Sequence, residues 1–447
     1  MKKNELPIAI IGLGKTGLSV AKYLKKINKN FVVYDTRNNL EINSEIKKYI
    51  NRKNIILGEF EDFFISKHEK FIISPGVNLR SDFLEEIERN NKILITDIDI
   101  FNEQNHSKTI CITGSNGKTT VTSILENILK GMGKHAKAGG NIGLPVLELL
   151  IDNLEYSIIE LSSFQLEMTK NINCDVATIT NITPDHLDRH KTFENYINIK
   201  HKIFDNAKTI IINRDDNKIK KEIYEYKYSF GGDTPFDNNS FGIVVKNNKR
   251  YIFHGNKEIL CEDEILLVGI HNLVNICNCL SIIFSLGLSV NQAKKHIKSF
   301  KCLEHRMEKF LELDKISWIN DSKATNIDST ISAIKSLEGK IILILGGRSK
   351  TNNYSQLKQV LDDKILRVIL YGECKEMLNK ELSGNNNIDV VENINEAVKI
   401  AKKYTDNSDK SCEITVLLSP ACSSYDMFKS YEERGINFKK NVMEIYR

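Results

Sequence analysis

Short apolar runs alternate with amphipathic stretches along this chain. The run over residues 8–11 predicts a buried strand, and the apolar spacing over residues 18–24 predicts an amphipathic helix after it. A second strand is predicted over residues 31–34 and another over 71–73. Strands that alternate with helices in this way are typical of a parallel sheet.

The same alternation continues to the C-terminal end. Between the middle and last groups of strands, residues 226–269 contain two alternating runs, 241–245 and 250–254, separated by turn residues, which predicts a β-ribbon. The remaining strand-like runs cover residues 110–112, 157–159, 176–182 and 209–212 in the middle, and 316–319, 341–345, 368–371 and 414–418 in the last part.

A glycine-rich segment follows the strand predicted over residues 110–112. Residues 113–120 read Thr-Gly-Ser-Asn-Gly-Lys-Thr-Thr, and the apolar spacing over 121–130 predicts a helix immediately after them. Glycines between a strand and a helix let backbone N–H groups converge on an anion at the helix N-terminus. Lys118 is then expected to reach the terminal phosphates of a nucleotide, and the Thr119 hydroxyl to bind Mg²⁺.

A second glycine turn lies at the N-terminal end. Residues 12–17 read Gly-Leu-Gly-Lys-Thr-Gly between a predicted strand and helix, and Asp35 ends the next strand. This is the G-x-G-x-x-G turn of a Rossmann-like unit, which by itself suggests NAD. The strand over residues 71–73 runs into Ser74-Pro75-Gly76, at the edge of the sheet where ligands of open α/β sheets collect.

These patterns predict an α/β protein of three domains. We expect a Rossmann-like N-terminal domain over residues 1–96, a central phosphate-loop ATPase-like domain with an accessory β-ribbon over 97–302, and a Rossmann-like C-terminal domain over 303–447. A chain of 447 residues is long enough for about three domains.

Composition excludes several classes of function. The 63 basic and 58 acidic residues are interspersed and leave a net charge of only +5, which argues against a nucleic-acid footprint. The nine cysteines are scattered without paired CxxC sites, so neither zinc nor a disulfide framework is suggested. No apolar run approaches ~18 residues, and the N-terminal segment has no signal-like apolar core. A cytoplasmic enzyme without a membrane span is expected.

Two strand ends next to the phosphate loop carry groups that suit metal chemistry. Glu160 ends the run over residues 157–159, where a carboxylate can share Mg²⁺ with substrate phosphates. His186 follows the strand over 176–182 amid acidic residues, which permits a metal or phosphate role. Lys200, on a predicted helix, has no distinguishing context of its own.

Taken together, these segments resemble the Mur ligase family, and most closely its D-glutamate-adding branch. The resemblance covers essentially the whole chain in order. It rests on residues 114–120, 140–143, 160–165, 181–189, 271–275, 305–306, 320–326 and 418–424. It implies that ATP phosphorylates the carboxylate of UDP-N-acetylmuramoyl-L-alanine, and that the amine of D-glutamate then attacks the acyl phosphate to form an amide. It also implies small-molecule substrates only and a monomer.

The resemblance implies a role for each matching position. For ATP they are Gly114, Ser115, Asn116, Gly117, Lys118, Thr119, Thr120, Asn275, Arg306 and Asp321. For two Mg²⁺ ions they are Thr119 with Glu160, and His186 with a carbamylated Lys200. The catalytic set is Lys118, His186 and Lys200. For the UDP substrate they are Gly14, Lys15, Thr16, Asp35, Thr36, Arg37, Gly76 and Asn141, and for D-glutamate Lys323, Thr325, Lys350, Ser424 and Tyr431.

Other interpretations remain open from the sequence. One is a related ligase that adds L-alanine to the sugar nucleotide or glutamate to folate. Another is an NAD-dependent dehydrogenase, although the phosphate loop would then have no use. A third is a nucleotide switch that binds ATP without forming an amide.

Overall fold

The computed structural model describes residues 6–58, 62–77, 81–219, 225–350, 353–361, 363–384, 387–408 and 412–446. Within them the chain forms three sheets, of five, nine and six strands in chain order. The predicted three-domain α/β fold is confirmed, whereas the boundaries at residues 96 and 302 stay predictions. The first five residues, part of the segment without a signal-like core, lie outside the described residues.

The first domain is a parallel sheet whose strand order reverses beside its first strand. Its elements are β1 (Ile8–Ile11), α1 (Lys15–Lys26), β2 (Phe31–Asp35), α2 (Ser44–Tyr49), β3 (Ile55–Leu57), β4 (Lys70–Ile73), α3 (Ser81–Arg89) and β5 (Ile93–Ile95). The order is β3-β2-β1-β4-β5, and every pair is parallel. Between β1 and β4 the connections diverge, and in open α/β sheets ligands bind at the carboxyl ends of strands at such a point.

The central domain is built on a nine-stranded sheet of order β14-β13-β12-β11-β10-β9-β6-β8-β7. Its helices are α4 (Asp97–Gln104), α5 (Lys118–Gly131), α6 (Ser163–Met168), α7 (Leu187–His190), α8 (Phe193–His201), α9 (Ile270–Ser285) and α10 (Val290–Lys298). Its strands are β6 (Lys108–Thr113), β7 (Ala136–Gly140), β8 (Tyr156–Glu160), β9 (Asn173–Ile179), β10 (Asn206–Asn213), β11 (Tyr228–Phe230), β12 (Ser240–Lys246), β13 (Lys249–His254) and β14 (Lys257–Cys261).

The β-ribbon differs from its prediction at one end. Strands β12, β13 and β14 are antiparallel as a ribbon requires, and Val245 pairs with Arg250 at its turn end. Strand β11, however, pairs in parallel with β10 and with β12. The first part of the predicted ribbon therefore extends the main sheet, because its backbone groups pair with the edge left free by β10.

Strand β6, which leads into the glycine loop, is buried on both faces. Ile110 and Ile112 pack in the same apolar cluster as Val121 of α5 and Ile276 of α9, whereas Cys111 belongs to the cluster on the opposite face. Side chains of a strand alternate between faces, so both sides of β6 are held by core contacts. The loop that follows β6 therefore begins from a rigid base.

The third domain has a six-stranded sheet of order β15-β16-β20-β17-β18-β19, in which only β15 is antiparallel to its neighbour. Its strands are β15 (Glu308–Leu313), β16 (Ile316–Asn320), β17 (Lys340–Gly346), β18 (Ile365–Tyr371), β19 (Ile388–Val390) and β20 (Ile414–Leu418). Its helices are α11 (Ile327–Ser336), α12 (Ser355–Lys358), α13 (Lys375–Glu381), α14 (Ile394–Asp406) and α15 (Tyr431–Ile445).

The helices of the described ranges include none that is both long and apolar enough to cross a membrane.

Candidate active site

The loop between β6 and α5 depends on glycine at two positions. Gly114 has φ +148° and Gly117 has φ +83°, both in the region that favours glycine. A Cβ on Gly114 would lie 1.9 Å from Thr180 Oγ1, and one on Gly117 would lie 2.6 Å from Asn275 Oδ1. Helix α5 starts directly at Lys118, so the helix N-terminus faces the loop, as an anion site requires.

The Lys118 side chain folds back over this loop. Its Nζ donates hydrogen bonds to the carbonyl oxygens of Gly114 and Ser115, each at 2.8 Å. Burial lowers the pKa of Lys118, while the negative charges of Glu160 and Asp185 act in the opposite direction. The amine is thus held at the anion-binding end of the helix, beside two carboxylates.

Glu160, at the end of β8, is fully buried and joined to two neighbours. Thr119 Oγ1 donates to its Oε2 at 2.9 Å, and Asn141 Nδ2 donates to its Oε1 at 2.7 Å. The two oxygen ligands predicted for one Mg²⁺ therefore lie in contact. Asn141, predicted for the UDP substrate, is in this structure a partner of the Glu160 carboxylate.

Lys200 lies directly beneath the glycine loop. It is 1% exposed, its Nζ donates to the Gly114 carbonyl oxygen at 2.8 Å, and it sits 4.7 Å from the centre of the Tyr196 ring. Burial lowers the pKa of Lys200 well below its ordinary value, and the charge of Lys118 lowers it further. A lysine that sequence could not distinguish from any other is therefore a buried amine with a reduced preference for its charged form.

His186 and Asp185 form the next part of the site. His186 has φ +53° at the start of α7, its Nε2 lies 3.6 Å from Asp185 Oδ2, and its ring centre is 5.0 Å from that of Phe164. Asp185 Oδ1 also lies 3.4 Å from the Nζ of Lys350, across the boundary between the second and third domains. Burial alone raises the pKa of Asp185, but the charges of Lys350 and His186 outweigh it and keep that pKa below its usual range.

In the third domain a carboxyl group and a lysine have strongly shifted pKa values. Burial raises the pKa of Asp321 to about 7, although Ser419 Oγ donates to its Oδ2 at 2.8 Å. Burial lowers the pKa of Lys323 to about 8, and the charge of Arg306 adds to the effect. The Lys323 Nζ lies 3.8 Å from the centre of the Tyr431 ring, a cation–π contact. Such shifts cluster at functional sites.

One cavity of about 730 Å³ between the second and third domains collects these groups. All positions predicted for ATP, metal and D-glutamate line it, as does Asn141. The cavity also contains residues that the sequence analysis did not assign, among them Asp185 and Tyr196. Asp185 directly precedes His186 in the sequence, so its signal was present, whereas nothing local marked Tyr196.

The other positions predicted for the UDP substrate lie apart from this cavity, at the carboxyl edge of the first sheet. Asp35, at the end of β2, accepts from the Leu13 backbone N–H at 2.7 Å and from Arg37 Nε at 2.7 Å. Burial opposes ionisation of Asp35, but the hydrogen bonds from Arg37 outweigh it and lower its pKa. The exposed members of the group are Gly14, Lys15, Thr36, Arg37 and Gly76, and Thr16 is half-buried.

The fold, the cavity and the similarity to known proteins together define a three-domain ATP-dependent ligase with a phosphate loop. The chain belongs to the Mur ligase family. Residues 7–96 match the Mur ligase MurD-like N-terminal domain, 112–283 the Mur ligase middle domain, and 305–422 the Mur ligase glutamate ligase domain.

Similar proteins agree over nearly the full length. The chain is 37% identical over 449 residues to a UDP-N-acetylmuramoylalanine–D-glutamate ligase of Legionella pneumophila, covering 97% of this chain and 98% of that one. It is 33% identical to the enzyme of the same name from Caldanaerobacter subterraneus, with both chains fully covered.

Solved structures with the same fold include more distant ligases. A pseudomurein peptide ligase type C from Methanothermus fervidus matches with a TM-score of 0.65 at 19% identity, over 99% of this chain and 100% of that chain. A MurF ligase from Thermotoga maritima in complex with ADP matches with a TM-score of 0.61 at 18% identity, over 100% and 97% of the two chains. These likenesses concern the fold alone.

Proposed function

We propose that this protein uses ATP to join D-glutamate to UDP-N-acetylmuramoyl-L-alanine through an acyl phosphate, as a cytoplasmic monomer. The observation that carries the proposal is the single cavity in which the phosphate loop and Glu160 of one domain face Lys323 and Lys350 of the next. The full-length similarity to proteins named UDP-N-acetylmuramoylalanine–D-glutamate ligase supports the choice of substrates. Membership of the Mur ligase family leaves the dehydrogenase alternative without support.

The phosphate loop and Lys118 bind the ATP phosphates in this proposal. Asn275, Arg306 and Asp321 hold the rest of the nucleotide, so its site spans two domains. The carbon of a carboxylate is a poor electrophile, so it must be activated before an amine can attack it. A carboxylate oxygen of the substrate attacks the terminal phosphorus of ATP, which forms the acyl phosphate and releases ADP. Lys118 stabilises the negative charge on the transferring oxygens, because a preorganised cation is most effective in a water-poor site.

The side chains present fit two Mg²⁺ ions, with one condition. The Thr119 hydroxyl and the Glu160 carboxylate are oxygen donors in mutual contact, the kind that Mg²⁺ prefers. His186 and Lys200 fit the second ion only if Lys200 is carbamylated, because an ammonium group cannot act as a ligand. Burial and the lowered pKa of Lys200 favour the neutral amine that carbamylation requires. When bound, the ions neutralise charge on the phosphate oxygens.

The third domain presents D-glutamate to the acyl phosphate. Lys350 and Lys323 supply cations for its carboxylates, and Thr325 and Ser424 supply hydroxyl groups. Tyr431 packs against Lys323 and thereby limits the directions in which this amine can point. The D-glutamate amine attacks the carbonyl carbon, the tetrahedral intermediate expels phosphate, and the amide forms.

The first domain holds the UDP part of the substrate at the carboxyl edge of its sheet. Asp35 is fixed there by Leu13 and Arg37, with Gly14, Lys15, Thr16, Thr36 and Gly76 nearby at the same edge. Asn141, which contacts Glu160, connects that substrate with the metal site in this proposal.

Phosphate release tests the function directly. We would incubate the protein with ATP, Mg²⁺, UDP-N-acetylmuramoyl-L-alanine and, separately, D-glutamate, L-glutamate, L-alanine or D-alanine. We expect stoichiometric phosphate and amide only with D-glutamate. A site that desolvates its polar groups can reject a ligand lacking their partner by about 10⁴. Equal use of L-alanine and D-glutamate would assign the protein to another branch of the family.

A further inference from the structure

Hydrogen bonds from two other residues of the central domain fix the backbone of Asn116 in the phosphate loop. Its carbonyl oxygen accepts from Thr180 Oγ1 at 2.6 Å and from Asn181 Nδ2 at 3.0 Å, and its N–H donates to Asn181 Oδ1 at 2.9 Å. Both partners directly follow β9, the neighbour of β6 in the sheet. The position of the Asn116 side chain is therefore set by the central domain.

That side chain makes its contacts with the third domain. Its Oδ1 accepts from Ser329 Oγ at 2.7 Å and from Asn326 Nδ2 at 3.1 Å. An amide oxygen has two lone pairs, and both are used by these two donors. The side-chain oxygen of Asn116 therefore accepts both of its hydrogen bonds from the third domain.

The two donors belong to the first turn of α11. Asn326 is the N-cap residue of this helix, and its Oδ1 accepts from the Ser329 backbone N–H at 2.9 Å. The cap therefore orients both groups that donate to Asn116. The segment directly before the helix carries Lys323 and Thr325, which are assigned to D-glutamate above.

We propose that Asn116 is a positioning residue that aligns the amino-acid-binding domain with the phosphate loop through Ser329 and Asn326. The proposal rests on the proposed function, which places the acyl phosphate at the loop and D-glutamate on the third domain. The contact sets the distance between the two reacting parts. Small misplacements of reacting groups cost rate even when every catalytic residue is present.

Loss of the contact has a distinct kinetic consequence. Ser329→Ala removes one hydrogen bond between the domains without changing the cap of α11 or the phosphate loop. One such bond corresponds to an effect of about three- to ten-fold. We expect kcat/KM for D-glutamate to fall by that factor, and the KM for ATP to change by no more than the same factor, because Arg306 and Asp321 of the same domain are assigned to the nucleotide. Ser355→Ala is the matched control, because Ser355 is exposed at the start of α12 and, among the residues that the structure describes, its Oγ donates to nearby Asn353 and to no group of another domain.

A double-mutant cycle separates this role from phosphate binding. If Asn116 acts through Ser329, the Ser329→Ala effect disappears in the Asn116→Ala background, because the partner is already gone. If the Asn116 side chain instead serves ATP independently of Ser329, the effects of Asn116→Ala and Ser329→Ala on kcat/KM for D-glutamate multiply. That second result would overturn the proposal.

Amide hydrogen exchange gives a readout that does not need turnover. With the full chain bound to a non-hydrolysable ATP analogue, Ser329→Ala and Asn116→Ala should each speed exchange over residues 327–330, and leave exchange in α14 unchanged. Unchanged exchange over residues 327–330 would refute the contact. Faster exchange in a protein that releases phosphate with none of the amino acids would instead overturn the proposed function while the contact stands.

Discussion

The amines of Lys118 and Lys200 donate hydrogen bonds to the same atom, the carbonyl oxygen of Gly114, each at 2.8 Å. Lys118 approaches from the start of α5, and Lys200 from the buried end of α8. Two ammonium groups on one acceptor repel each other, and burial penalises both charges. This arrangement explains why the pKa of Lys200 is lowered so strongly, and it makes Lys200 the better candidate for chemistry that needs a neutral amine.

Carbamylation of Lys200 is the first testable consequence. An ordinary lysine with a pKa near 10.4 is neutral only about one part in a thousand near pH 7.4. The lowered pKa of Lys200 increases this fraction, so native mass spectrometry in bicarbonate should show one added CO₂ per chain, absent in Lys200→Arg.

Lys200→Ala should be nearly inactive, and formate or acetate should partly restore its activity. Lys202→Ala, two residues away, is the control. Full activity of Lys200→Ala contradicts the assignment.

Replacement of Lys118 tests the phosphate loop. Lys118→Ala removes one preorganised cation from the transferring phosphoryl group and should lower the rate by about 10²–10³, by analogy with other charge-stabilising donors. Binding of UDP-N-acetylmuramoyl-L-alanine, measured by calorimetry, should persist because its proposed site lies in the first domain. Lys130→Ala, at the far end of the same helix and exposed in an ion pair with Glu126, should behave as the unmodified protein. Near-normal ligation by Lys118→Ala is incompatible with the assigned role.

Lys350→Ala should affect D-glutamate far more than ATP. The Lys350 amine is expected to form a charge-assisted hydrogen bond with a substrate carboxylate, the stronger kind of hydrogen bond. Steady-state kinetics should therefore show a raised KM for D-glutamate and little change in the KM for ATP. Lys340→Ala, which removes a half-buried lysine whose Nζ donates to the carbonyl oxygen of Asp363, is the control in the same domain. A D-glutamate KM that Lys350→Ala leaves unchanged would exclude this role.

The buried carboxyl group of Asp97, at the start of α4, should make thermal stability depend on pH. Burial raises the pKa of Asp97 to about 7 from 3.8, and its Oδ1 has no hydrogen-bond partner among the described residues. Between these values the folded protein binds more protons than the unfolded chain, so stability falls as pH rises from about 4 to 7.

Calorimetry of Asp97→Asn checks this expectation. At ~1.36 kcal/mol per pKa unit, the raised pKa of Asp97 lowers the free energy of unfolding by an amount of order 4 kcal/mol as pH rises through this range. The amide does not titrate, so the decrease in Tm between pH 5 and pH 8 should be smaller in Asp97→Asn than in the unmodified protein. Asp152→Asn, at an exposed position, should retain the full decrease. An equal decrease in all three proteins would show that Asp97 does not titrate in this range.

The sequence alone predicted those elements whose structure depends on a local pattern of residues. Most of the buried strands of the three sheets and the loop over residues 114–117 were predicted, because continuous apolar runs and glycine turns express local constraints, whereas the interior strand β11 was not. Strands at or near sheet edges were missed, among them β3, β7 and β15. Such strands are short, rich in glycine or alternately charged, and pairing with a neighbour stabilises them more than their own composition does. The strand predicted over residues 176–182 ends at Ile179, because Thr180 and Asn181 turn away to bind Asn116.

Tertiary structure alone decided which side chains work together. The family resemblance pointed to Lys200, but only packing shows its amine beneath Gly114, with burial and a second cation lowering its pKa. Likewise, 165 positions separate Asp185 from Lys350 along the chain, and nothing in the sequence indicates that they form an ion pair across two domains. Propensity and periodicity act over a few residues. Desolvation, charge and contact act over a few ångströms, and only the folded chain determines which distant residues come that close.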